Sequence, residues 1–477
     1  MAFTSTNIPL VHKKVWQPMT PTPIISGAGS CFITDVFEQG NLWLALVNAT
    51  THYMYHHDED AWVQIPSGAL AGTFGAGTCG TRMRWSATYT ATAWSTTTVT
   101  TSTILNGIAK GRTIRFLTGA NAGKQSLVTD VYVTPWTNTV ITFDALPWAV
   151  ANTDTFIIDS WLYIILNGGT VAANIFKSYD PLTGIWAALT TTGLPATIGT
   201  DAKMVCTPSN EAFATGTATA WAATTLTNGI KSWTTNKRTN FQIRITGGTG
   251  IGQVRNIASN TGTVITVSAA WAVTPDVTST YEITGNDDYL YLLGNGAVTM
   301  YRYTRSTNTW ATMAPTVART STTSTGMSAN WACKLWHTGF DDENTGTAGR
   351  YIYSFRWGNT STFDRFDIAG GTAWAGAWQN IVYSWAAEVF NTGAWYALYG
   401  KYIYIRKEAS AVAPRFFKYS ITGNYIEALN THLYADSTGI IGDRLRVHAY
   451  MEWGVAKRAW LYYRRNSASE VFRLELF

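Results

Sequence analysis

The chain has 477 residues, of which 46% are hydrophobic, 14% aromatic and 13% charged, with a net charge of +5. So many apolar residues and so few charges exclude a disordered chain, and a small net charge without a long Lys/Arg run excludes a sequence-reading nucleic-acid groove. No run of about 18 apolar residues is present, so no membrane span is expected, and residues 1–14 lack the pattern of a secretory signal.

Along the chain, one pattern recurs. An apolar strand is followed by an aromatic strand, a polar turn, and a Trp that opens a further strand. Residues 15–19, with Trp16, read as a lone strand. Residues 42–46 and 53–57 then lead to Trp62. Residues 161–165 and 176–180 lead through Asp180-Pro181-Leu182-Thr183-Gly184 to Trp186. Residues 289–292 and 301–304 lead to Trp310, and residues 351–355 and 363–367 to Trp374. Residues 402–405 and 416–421 lead to Tyr425. Each strand alternates with period two, so each sheet has two faces, and the turns carry residues that suit tight hairpins. This predicts an all-β chain.

The chain detours twice, over about residues 91–158 and 214–283. The detours resemble each other: residues 114–125 match 243–254 in type, and Val140-Ile141-Thr142-Phe143 before Trp148 matches Val264-Ile265-Thr266-Val267 before Trp271. Each is expected to be a small β-barrel or sandwich, inserted between the first and second strands of its sheet. Both are expected to project from one face of the body and to be removable without loss of the rest.

The last segment, residues 459–477, starts a repeat and stops before its Trp strand. The strand around Trp16 supplies the missing piece. The expectation is a six-bladed β-propeller closed by the N-terminal strand, with Trp16 near Phe472; closure removes exposed edges. The propeller then spans 1–90, 159–213 and 284–477, with inserted modules at 91–158 and 214–283. Cys31, Cys79, Cys206 and Cys333 follow repeat Trp residues and fall on innermost strands, where a free Cys behaves as a small hydrophobe. No CxxC pair occurs.

Several groups of residues invite a chemical reading. Gly247-Gly248-Thr249-Gly250-Ile251-Gly252 precedes a strand and not a helix, so it reads as a hairpin and not a phosphate loop. His52, His56 and His57 beside Asp58, Glu59 and Asp60 suggest a metal site, but the run falls on a turn, and a solvated turn is expected. Asp341-Asp342-Glu343-Asn344 lacks the length of an EF-hand loop. Arg82, Arg84, Arg115, Arg244, Arg356 and Arg444 are available for a sialidase-type arginine triad, but spacing alone brings no three together. No GxSxG is present. No catalytic residue, cofactor or metal is therefore assigned. Trp148, Trp233 and Trp271 are the candidate contact surface.

The segment from Tyr179 to Trp186 resembles the third strand, turn and Trp of Kelch repeats, with paired glycines near Gly168-Gly169. The modules and the Thr- and Trp-rich, charge-poor body resemble virion proteins of tailed bacteriophages, including the propellers of tail nozzles. That resemblance implies a non-enzymatic structural part of a phage tail, made in the host cytoplasm. It implies a ring of copies of the chain (a hexamer) that meets portal, adaptor and tail fibres, with transient contact to genomic DNA in the channel. The alternatives are a receptor- or glycan-binding fibre or decoration protein, and a propeller enzyme acting on polysaccharide.

Overall fold

The structure, a computed structural model, describes residues 17–23, 31–34, 41–45, 52–56, 59–65, 78–106, 109–134, 137–167, 169–170, 176–194, 197–199, 203–206, 212–294, 298–319, 351–355, 362–370, 376–382, 394–399, 402–407, 415–420, 423–429, 445–452, 455–464 and 471–475. Among these the fold is all-β, without an α-helix. No helix there is long and apolar enough to cross a membrane.

Six sheets of three or four antiparallel strands form the body. The first runs Cys31–Thr34, Asn41–Ala45, His52–His56, Ala61–Ile65. The second runs Cys79–Trp85, Ser160–Leu166, Phe176–Asp180, Ile185–Ala188, and the third Lys203–Cys206, Tyr289–Leu293, Met300–Thr304, Thr309–Thr312. The fourth holds Tyr351–Phe355, Thr362–Asp367 and Ala377–Val382. The fifth holds Ala394–Tyr399, Tyr402–Lys407, Arg415–Ser420 and Tyr425–Leu429. The sixth runs Leu445–Glu452, Val455–Arg464, Val471–Glu475 and ends on Gln17–Pro18, where Gln17 pairs with Arg473 and Pro18 with Phe472. Trp16 and Trp374 lie outside the described residues.

The first strands of these sheets pack side by side. Cys31–Thr34 touches both Cys79–Trp85 and Leu445–Glu452, Cys79–Trp85 touches Lys203–Cys206, and Ala394–Tyr399 touches Leu445–Glu452. Buried apolar residues join adjacent sheets. Met54 packs with Ile165 and Tyr179 between the first and second. Met83 and Ile164 pack with Leu290 and Leu292 between the second and third. Tyr291 packs with Ile352 and Phe366 between the third and fourth.

The hairpin between third and fourth strands has a repeated construction. Asp60, Gly184, Asn308 and Asn424 all have positive φ; the first three stand two residues before the repeat Trp, and Asn424 two before Ile426, which pairs with Tyr419 and so takes the Trp position in place of the expected Tyr425. Gly, Asn and Asp tolerate that left-handed backbone. In three of the turns a Tyr five residues earlier donates its hydroxyl to the turn side chain: Tyr55 to Asp60 at 2.6 Å, Tyr303 to Asn308 at 2.7 Å, and Tyr419 to Asn424 at 2.9 Å. Trp62, Trp186 and Trp310 then tilt against Tyr55, Tyr179 and Tyr303, at 5.0, 4.8 and 5.2 Å between ring centroids. Trp186 also meets His52, and Trp310 meets Phe176, each on the preceding sheet.

Each detour forms a seven-stranded sheet, and the two have the same strand order. In the first module, Thr88–Thr90 and Ala93–Trp94 supply the two opposite edges. In the second, Ala212–Thr217 and Ala220–Trp221 do the same. One bent segment thus serves both edges, which wraps the sheet around its own core. The first module starts earlier than the expected residue 91. Ala-Thr-x-Thr-Ala-Thr-Ala-Trp stands at 87–94 and again at 214–221, so residue 87 is the counterpart of residue 214. Thr92 and Thr219 make the same bonds, their amides donating to Thr100 and Thr227 carbonyls at 2.8 Å.

Candidate functional site

Among the described residues, a charged polar site lies where the two modules meet the body. Arg84 comes from the first strand of the second sheet, Arg115 from Thr113–Phe116 of the first module, and Arg244 from Gln242–Gly247 of the second. Asp159 ends the first module, where the chain returns to the body. Its Oδ2 accepts from Arg84 Nη2 at 3.3 Å and from Arg115 Nη2 at 3.1 Å. Arg244 pairs with Glu282 at 3.3 Å and with Asp287 at 3.9 Å.

Burial alone raises the Asp159 carboxyl, but Arg84, Arg115 and Arg244 outweigh it and hold the group below the usual carboxylate range. Burial, with Arg84 as a like charge, brings Arg244 down to about 10. The structure therefore assembles three of the arginines that spacing left apart. Arg84 and Arg115 bond a carboxylate of the chain itself and Arg244 adds its charge nearby, as a half-buried ion-pair network and not as an open cradle for a substrate carboxylate. Such a network fixes geometry more than it adds stability. Arg82 stands apart from it, with its guanidinium 4.3 Å from the Trp161 ring, and Arg356 and Arg444 lie outside the described residues.

Apolar contacts reinforce the junction. Leu182, at the tip of the second-sheet hairpin, is 1% exposed within the core of the first module. The Asn106 backbone amide donates to the Leu182 carbonyl at 2.6 Å. Ala369, just after Thr362–Asp367 of the fourth sheet, enters the core of the second module. Between the modules the Gly-rich hairpins touch: Gly123 has φ +81°, and a Cβ there would overlap Ile251 Cγ2. The hairpin reading of both Gly-rich segments is what the strands show. The modules are thus docked on the body, which runs against the expectation that either is dispensable.

The candidate contact tryptophans divide. Trp148 is 52% exposed, with Lys124 Nζ 6.0 Å from its ring. Trp233 and Trp271 are 4% and 5% exposed in the core of the second module, so a contact surface on them is withdrawn. The reason is a shift in alignment. Leu146 and Trp271 donate their amides to the equivalent Thr96 and Ala223 carbonyls, both at 2.8 Å. Leu146 therefore fills the core position of Trp271, and Trp148, two residues on, points outward. The Thr97 and Thr224 carbonyls, which accept from Phe143 and Val267, give the register that the Trp spacing hides.

Other candidates are placed as follows. His52 is fully buried against Trp186, and burial lowers its pKa to about 4. His56 is half-buried at the other end of that strand. Among the described residues no cluster of three His, Cys, Asp or Glu side chains could hold a metal. His57, Asp58 and residues 341–344 lie outside the described residues. Cys31, Cys79 and Cys206 stand on the first strands of the first three sheets, and Cys333 lies outside the described residues.

No protein-family model matches the chain, and no curated protein matches it. Among solved structures it is similar to a phage phi92 endosialidase, with 9% identity and a TM-score of 0.32 over 98% of this chain and 69% of that one. It is similar to a luciferin-regenerating enzyme, with 7% identity and a TM-score of 0.33 over 96% and 95%. It is also similar to an intramolecular trans-sialidase from Ruminococcus gnavus, with 9% identity and a TM-score of 0.26 over 94% and 79%. These similarities correct one expectation: the solved structures that the chain resembles are mostly enzymes, so the non-enzymatic reading is withdrawn. TM-scores of this size carry no argument for any particular activity of this chain.

Proposed function

We propose that the chain is a part of a tailed-phage virion, of the tail-nozzle type, whose body is a six-bladed propeller closed by the N-terminal strand. The proposed divisions are body at 1–90, 159–213 and 284–477, and contact modules between them, with the first module starting near residue 87. Copies would form a ring, a hexamer in the simplest case, meeting portal, adaptor and fibres, with DNA passing along the channel. The observation that carries this reading is the junction. Two modules of one topology, the first tied to the body by Arg84 and Arg115 on Asp159 and the second touching the first through the Gly-rich hairpins, suit a rigid part that holds neighbours in place.

The pairing of Gln17–Pro18 with Val471–Glu475 supports closure, and so do the successive inner-strand contacts. A virion part made in the host cytoplasm would co-purify with particles. Mass spectrometry of purified particles should find the chain in several copies with portal and adaptor; its absence from particles counts against the proposal.

A second reading, a glycan- or receptor-binding virion part, is favoured by the exposed Trp148 beside Lys124, since a flat aromatic face suits a sugar ring. A Trp148→Ala chain that adsorbs to host cells as well as the unchanged one contradicts it.

A further inference from the structure

The two modules differ at one corner, and the difference is a transfer of tasks between residues. In the second module Gln253 holds the turn at residues 272–273. Its Nε2 donates to the Val273 carbonyl at 2.7 Å, and its Oε1 accepts the Ala272 and Val273 amides at 2.8 and 3.1 Å. The hairpin bonds set the alignment with the first module. The Lys124 and Gln253 amides donate to the Asn121 and Gly250 carbonyls, so Lys124 is the counterpart of Gln253 and Asn121 of Gly250. Trp148 is the counterpart of Val273, two residues after Leu146 and Trp271.

In the first module the turn is held from a different position. Asn121, fully buried, donates its Nδ2 to the Trp148 carbonyl at 2.7 Å. Pro147 stands where the second module has Ala272, and it has no amide to offer. Position 124 is thereby relieved of the task that Gln253 performs. It carries an exposed Lys instead, beside the exposed Trp148 ring. A single exposed apolar side chain needs no explanation. Here Asn121, Lys124 and Trp148 differ from their counterparts together, and the result is an indole face and a cation on a turn fixed by a buried amide.

We infer that Trp148 and Lys124 form a platform for a sugar ring that carries a carboxylate, such as a uronic acid unit of a polysaccharide. The inference rests on the glycan-binding reading above and names its ligand class. The apolar face of the sugar lies on the indole, and the ammonium meets the carboxylate. One ring and one charge match one sugar unit. They fall short of the roughly 800 Å2 per partner of a stable protein interface. A nucleic-acid strand calls for a row of cations.

The test is biolayer interferometry of the full chain on immobilised polygalacturonate, alginate and hyaluronate, with dextran as the neutral polymer and single-stranded DNA as the other polyanion. The chain should bind at least one carboxylated polymer and prefer it to dextran and DNA. Trp148→Ala should weaken that binding about tenfold or more, a loss of at least one aromatic contact. Lys124→Gln should weaken it and remove its dependence on salt up to about 0.5 M. Val273→Ala, at the matching place in the second module, should bind as the unchanged chain does.

No binding to any carboxylated polymer, equal binding of dextran or DNA, or an equal loss with Val273→Ala overturns the inference. Circular dichroism melting of each variant separates loss of contact from loss of fold, and if Trp148→Ala melts early, Lys124→Gln decides alone. If the polymers fail while Trp148→Ala no longer adsorbs to host cells, the carboxylated sugar is wrong and the glycan- or receptor-binding reading stands. If Trp148→Ala adsorbs unchanged while the polymers bind as expected, that reading fails and the platform stands.

Discussion

Asn308 shows how much one turn residue does. It holds a positive φ, accepts the Tyr303 hydroxyl, and its Oδ1 also accepts the Thr190 amide of the second sheet at 3.1 Å. Asn308→Ala should lower stability by about 1–3 kcal/mol, from backbone strain and lost hydrogen bonds. Asn308→Gly should recover the strain share only. Urea unfolding of the two variants separates these contributions. His52 gives a pH dependence. Its pKa falls from 6.5 to about 4 on burial, so between those values the unfolded chain takes up a proton that the folded chain refuses. Stability is complete above about pH 6.5 and falls as pH drops toward 4, by roughly 3 kcal/mol at most. Unfolding of His52→Gln at about pH 7 and about pH 4.5 should show a smaller loss over that interval; an unchanged loss contradicts the assignment. Asp159 behaves as a depressed carboxylate whose contribution is present above the ordinary carboxylate range and fades below it. Asp159→Asn should cost about 3 kcal/mol, because it strands Arg84 and Arg115 in a partly buried site, as read by thermal melting.

At the scale of elements, the strands and both modules were legible because period-two alternation and the repeat Trp mark them. The module start was missed by about four residues, although the Ala-Thr-x-Thr-Ala-Thr-Ala-Trp repeat at 87 and 214 marks it. The Tyr-to-Asx turn bond was equally readable as a spacing of five. The junction was not. Arg84 and Arg115 are far apart in the chain, and only the folding of the first module onto the second sheet brings both to Asp159, with Arg244 of the second module adding its charge. Trp271 also misled, since its likeness to Trp148 in spacing hides a one-residue difference in the turn before it. Docking predicts that deletion of residues 87–158, with a short linker, exposes Leu182 and lowers the melting temperature of the body. An unchanged melting curve contradicts docking.

For the whole molecule, the sequence pattern leads to a chain whose first and last described strands share a sheet. Thr20 extends that link to the first sheet, since Trp62 Nε1 donates to its carbonyl at 3.0 Å and its amide donates to Asp60 at 3.2 Å. One N-terminal segment therefore touches the sixth sheet and the first. The closed circle of sheets proposed here would need such a bridge. The most direct measurement is a density map of intact particles of the kind in which the proposal places the chain. The account predicts copies arranged in a ring on the tail axis, each a wheel of six sheets. A map that places the chain away from the axis as single copies, or that shows separate open sheets in place of a wheel, contradicts it.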